Sequence, residues 1–138
     1  MLTGLIKSGE LASSKVQELC YLWPAGSLSK KAPGCSVRIL APFDPLIWDR
    51  RRFEHFWGWP YRFEAYTPIA KRKLGYYAMP LLWGDDVIGW ANISISKGAD
   101  VSIETRFVRK KPDSSTFEKE FEAEVERIRG FLRAAREE

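Results

Sequence analysis

The chain has 138 residues, 45% of them hydrophobic and 29% charged, with six Trp, eight Phe, five Tyr and a net charge of +4. Such proportions exclude a chain disordered over most of its length, because a core can be built. No apolar stretch approaches the ~20 residues of a membrane helix, since runs such as Ala78–Trp83 are broken by Pro80 and Gly84.

Two cysteines, Cys20 and Cys35, and one histidine, His55, are too few for a disulfide scaffold or a zinc site. Free thiols, no metal and no cofactor are expected. Residues 1–11 lack a basic start followed by a sustained apolar run, so a cytoplasmic chain is expected.

Positive charge is unevenly spread. Residues 48–75 carry seven basic and three acidic side chains, residues 76–116 five of each, and residues 117–138 five basic and seven acidic. One short central window therefore holds most of the excess, which points to one functional face.

In chain order, residues 1–36 read as a wing-like β-ribbon and linker. Leu2–Lys7 and Leu11–Val16 are its expected strands, joined by a turn at Ser8-Gly9-Glu10, and Ala25–Gly34 has loop composition. Residues 37–138 read as a single α+β domain. Val37–Leu40 is a short strand. Asp44-Pro45 is a helix-start signal for a central helix running to Trp57, with Gly58 as its stop and Asp49 as a second cap position.

Tyr61–Tyr66 alternates at period two, as a half-buried strand does. Tyr76–Trp83, Val87–Ser96 and Val101–Lys110 form an expected meander with turns at Gly84-Asp85-Asp86 and Lys97-Gly98-Ala99-Asp100. Pro80 argues for an edge position or a bulge in its strand. Ser115 and Glu118 have capping-box spacing, and Phe117, Phe121, Val125, Ile128, Leu132 and Ala135 follow at helical steps. The fold class is thus α+β: a small antiparallel sheet or partial barrel with a central and a C-terminal helix.

The sequence lacks a nucleophile elbow, a phosphate-binding glycine loop, a His-Glu-x-x-His and a Cys-x-x-Cys. His55, beside Phe56 and Trp57, reads as a packed or surface residue. Asp44, Asp49, Glu54 and Glu64 are the available carboxylates. Asp44 is better explained as a helix cap, and Glu54 and Glu64 as partners for nearby arginines. No catalytic residue is assigned.

The positive signal is cationic and aromatic. Arg50, Arg51 and Arg52 fan over about 200° of a helix, so they do not all point one way. Lys71, Arg72 and Lys73 lie in a connection, with Tyr76 and Tyr77 just beyond Gly75. These eight residues are candidate DNA contacts: the cations for phosphates, the tyrosines for bases or phosphates. The alternative is that Arg50–Arg52 form internal salt bridges and Lys71–Lys73 is a solvated loop.

The segment Leu40-Ala-Pro-Phe-Asp-Pro-Leu-Ile-Trp-Asp-Arg-Arg-Arg52 resembles the hallmark segment of the YcaQ/AlkZ-type winged-helix DNA glycosylases, a crosslink-repair family. The likeness continues through Phe56, Gly58, Tyr61-Arg62, Glu64, Tyr66, Pro68, Lys71-Arg72, Gly75-Tyr76-Tyr77, Pro80-Leu81-Leu82, Gly84-Asp85 and Gly89. It implies a bacterial DNA-repair setting, metal-free hydrolysis of N-glycosidic bonds, and a likeness to the family's C-terminal portion. Members carry a catalytic Gln-x-Asp or Gln-x-Gln motif. The sole glutamine here, Gln17, is followed by Glu18-Leu19 and does not fit it. The expectation is a DNA-binding or scaffold domain for double-stranded DNA that is not catalytic alone. The alternative is an interaction module that docks onto a separate winged-helix protein or self-associates.

Overall fold

The computed structural model describes residues 2–28, 31–96 and 101–135. It divides into two compact units, Met1–Ala32 and Pro33–Glu138.

In the first unit, Leu2–Lys7 is helix α1, where a strand was expected. The reason lies in Ser8-Gly9-Glu10. Gly9 takes a left-handed φ of 80°, and its amide donates to the Ile6 carbonyl while that of Glu10 donates to Leu5. This pairing closes a helix end instead of turning a hairpin. The ribbon itself is made by β1 (Leu11–Val16) and β2 (Leu19–Pro24), antiparallel with Val16 opposite Leu19. Its two-residue turn is therefore Gln17-Glu18, with Gln17 at a φ of 52°.

The second unit is built on a four-stranded antiparallel sheet that curls into a partial barrel. Its strands are β3 (Val37–Ile39), β4 (Ala78–Trp83), β5 (Asp86–Ile95) and β6 (Val101–Phe107), in sequence order across the sheet. Strands β4 and β5 meet at Gly84-Asp85, as the composition predicts. The second expected turn, Lys97–Asp100, lies outside the described residues. Pro80 stands in an inner strand, not at an edge. It lies beyond the Ile39–Leu81 pair that ends the β3 ladder, and a bulge follows at Leu81/Leu82. The missing N–H is thus needed by neither the ladder nor Leu40, whose amide donates to the Pro80 carbonyl.

Both faces of the sheet are covered. On one, Val37, Ile39, Leu81 and Ala91 pack with Phe117, Phe121 and Ile128 of helix α3 (Ser115–Ala134). Ser114, one position before the expected cap, accepts from the Phe117 amide. On the other face, Val87 and Trp90 pack with Ile47, Phe53, Trp59 and Tyr61. Phe53 belongs to helix α2 (Arg50–Trp57).

Helix α2 is shorter than expected because each aspartate caps its own turn. Asp44 accepts from the Leu46 amide at 2.8 Å and holds an isolated turn, while Asp49 accepts from the amides of Arg51 and Arg52 and starts the helix. Gly58, at a φ of 72°, ends it. Tyr61–Tyr66 forms no ladder and is not a strand: residues 61–64 are irregular, and Ala65-Tyr66 lie in a turn closed by the Thr67 amide donating to the Glu64 carbonyl. It is fixed by side chains, such as the Tyr61 hydroxyl that donates to the Ala78 carbonyl at 2.8 Å.

One fully buried carboxylate ties α3 to the sheet. Glu124 accepts from the Ile39 amide at 2.8 Å and from Nε and Nη2 of Arg127 at 2.8 and 2.7 Å. This hydrogen bonding raises the Arg127 pKa. Glu124→Ala leaves a buried amide unpaired, so the expected loss is about 2–3 kcal/mol, whereas Glu124→Gln retains an acceptor and loses less. Urea unfolding of both variants measures the difference.

Candidate nucleic-acid interface

The basic window is organised around a buried acid. Glu64 is buried, and its carboxylate accepts from the backbone amides of Lys73 (2.8 Å), Leu74 (2.7 Å) and Gly75 (3.2 Å). Burial alone would raise its pKa. The amide bonds and the Lys73 charge outweigh burial and hold the carboxyl below its ordinary range.

Three consecutive amides converge on one carboxylate only if the chain curves sharply. Gly75 permits this with a φ of 122°, and a Cβ there would lie 2.5 Å from the Asn92 side chain. Asn92 and the Trp90 indole both donate to the Leu74 carbonyl, at 3.1 and 2.9 Å, which moors the loop to β5. Upstream, a 3-10 turn at Ile69–Lys71 follows Pro68. The Arg72 Nε donates to the Thr67 carbonyl at 2.8 Å, and its guanidinium lies 4.7 Å from the centre of the Tyr76 ring.

The mooring brings the two halves of the basic window together. A cleft of about 350 Å³ is lined by Arg50, Arg62, Lys71 and Lys73, together with Phe63, Glu64 and Leu74. None of these four cations forms a salt bridge among the described residues. The only acid in the lining, Glu64, is turned to amides. An anion entering the cleft therefore meets four cations against one buried, amide-bound carboxylate, a net positive charge.

The eight residues expected from the sequence have separate fates. Arg50, Lys71 and Lys73 line the cleft. Arg51 is exposed and outside it. Arg52 donates to the Pro45 and Leu46 carbonyls, bracing the isolated turn against α2. Arg72 is spent on Thr67 and Tyr76, and Tyr76 and Tyr77 join a surface group of aromatic rings.

Among the described residues, Arg50, Arg51 and Arg52 form no salt bridge. Asp49 caps α2 and Glu64 holds the loop, so neither pairs with an arginine. Arg62 also lines the cleft, outside the eight residues expected from the sequence. Its signal was its charge in the same window, at an exposed position between buried Tyr61 and half-buried Phe63.

A sequence profile of the AlkZ-like DNA glycosylases matches residues 1–131. The chain belongs to the AlkZ-like DNA glycosylase family. No solved protein structure matches it. The family places this chain in DNA repair, with DNA as the partner, and no helix among the described residues is long and apolar enough to cross a membrane.

Glu64→Gln tests how far this surface depends on its acid. At neutral pH the variant is expected to be less stable by about 1–2 kcal/mol, from weakened charged hydrogen bonds. Because the Glu64 pKa is depressed on folding, its contribution is full above the ordinary carboxylate range and disappears as pH falls through and below it. Thermal melts of the two proteins should therefore converge as pH is lowered.

Proposed function

We propose that this chain is a DNA-binding part of an AlkZ-like glycosylase, gripping double-stranded DNA through Arg50, Arg62, Lys71 and Lys73, and that it does not excise bases on its own. The observation that carries the reading is the cleft of four cations without salt-bridge partners among the described residues. Phosphate contacts of this kind give affinity and register without reading sequence.

The non-catalytic half of the proposal rests on the acids. Glycoside hydrolysis needs a group that activates water or stabilises the sugar cation, and a carboxylate is the usual choice. Glu64, the sole acid in the cleft lining, has both oxygens engaged by amides. Asp44 and Asp49 accept amides of their own turns. Gln17 occupies a hairpin turn in the first unit. The cytoplasm of a bacterium is the setting that the family resemblance implies.

A second reading, as a module that docks on a winged-helix protein or on itself, is favoured by one feature of the first unit. No described residue there is buried, while Leu2, Val16, Leu19 and Leu22 are exposed and the Trp23 indole N–H has no partner among the described residues. Exposed apolar side chains, such as the facing pair Val16 and Leu19, are available for association.

Fluorescence anisotropy with a labelled duplex across a salt series separates these readings. The unaltered chain should bind with a log–log slope near −0.9 for each phosphate neutralised. The triple variant Arg62→Gln, Lys71→Gln, Lys73→Gln should lose up to about three such increments and keep any self-association seen by sedimentation. An unchanged slope contradicts the cleft assignment, and release of free base by the purified chain contradicts the non-catalytic role.

A further inference from the structure

Beside the cleft, the second unit carries a cluster of aromatic rings on its surface. Phe63 is the hub. Phe43, Tyr66 and Tyr77 surround it with ring centres 5.4, 6.4 and 5.0 Å away and planes at 68°, 82° and 90°, and Tyr76 follows at 6.2 Å from Tyr77. The outer rings are far from buried: Phe43 is 71% exposed, Tyr66 92%, Tyr76 58% and Tyr77 43%. Near-perpendicular planes mean that none of the three is stacked face to face on the hub. Phe63 also lines the cationic cleft, so cleft and rings share a wall.

Rings alone would suit an apolar protein partner. The charge beside them argues otherwise. Protein interface centres are depleted of lysine, whereas here Lys71 and Lys73 line the cleft with Arg50, Arg62 and the shared Phe63, and the Arg72 guanidinium lies against Tyr76. Cations that follow a backbone, with aromatic faces alongside for bases, are the two parts of a single-strand site. A base within an intact duplex is stacked on its neighbours and offers these rings no face unless it is taken out.

We infer that Phe43, Tyr66 and Tyr77, with Tyr76, stack on unpaired bases of a DNA strand whose phosphates lie on the Arg50/Arg62/Lys71/Lys73 cleft, so that the chain prefers duplexes containing a single-stranded gap. The inference rests on the DNA-binding reading above and goes past it in adding a site for unpaired bases, so that a gap in the duplex is preferred to intact duplex. Stacking is tolerant of base identity, because every base has a π-face. The preference is thus for unpairedness and not for sequence.

The test uses the full chain and three labelled DNAs of one sequence: a single strand, an intact duplex, and a duplex with a short gap. The single strand and the gapped duplex should bind about tenfold or more tighter than the intact duplex, consistent with one or two stacked bases. Phe43→Leu and Tyr66→Leu, at very exposed positions where folding is not at stake, should each reduce that preference about fivefold and leave the salt slope unchanged. A 2-aminopurine in the gap should be quenched by the unaltered chain and less so by these variants.

Equal affinity for all three DNAs with a normal salt slope overturns the stacking site and leaves the basic cleft standing. Absence of binding to any DNA at low salt removes the cleft reading itself, and the stacking site with it. A dimer that Tyr66→Leu dissolves, with no preference for gapped DNA, assigns the rings to a second copy and overturns the inference.

Discussion

Burying a carboxylate costs several kcal/mol unless hydrogen bonds replace its water, and the way Glu64 meets that requirement shapes the candidate surface. Its donors are three successive backbone amides, from Lys73 to Gly75. Those amides are within reach only when the chain wraps round the acid, so the basic triplet, whose last residue supplies the first of them, cannot swing freely. Trp90 and Asn92 then fasten the Leu74 carbonyl to the sheet. A negative charge held by successive amides thus fixes the backbone of the basic triplet, and two of its side chains line the same cleft as Arg50 and Arg62.

The sheet supplies the rigid floor. Coverage on both faces explains its density of aromatic side chains, and the indoles show how such large groups are buried without loss. Trp57, Trp59 and Trp90 each donate to a backbone carbonyl, of Asp85, Val87 and Leu74 respectively. An aromatic body in the core with a satisfied polar tip gives packing and position together. The rings around Phe63 follow another logic, since Phe43 and Tyr66 stand largely in water. High aromatic content therefore arises from two populations, one structural and one left available at the surface.

Much of the fold was legible because it depends on local chemistry. Gly84-Asp85 turns a hairpin, Gly58 stops a helix, and the spacing from Phe117 to Ile128 lays one face of α3 on the sheet. What escaped reading depends on competition or on distant partners. Ser8-Gly9 suits a hairpin turn and a helix end equally, and the carbonyls of Leu5 and Ile6 decided for the helix. Tyr61–Tyr66 has the alternation of a strand, but Tyr61 and Glu64 are committed to contacts 17 and 9 to 11 residues ahead. The same gap limits the site: the charge window was visible, yet only the wrapped loop shows that Arg62 belongs with Arg50 and that Arg52 and Arg72 brace the backbone.

The claim at the centre is that a loop wrapped on Glu64 presents the cations that meet DNA. An amide-resolved NMR titration of the isotopically labelled chain with a short duplex at low salt addresses it most directly. Signals of Arg50, Arg62 and residues 71–73 should shift together along one binding curve, while those of α1 and the outer face of α3 stay in place. Shifts confined to the first unit or to α3, with the cleft signals unmoved, would contradict the account.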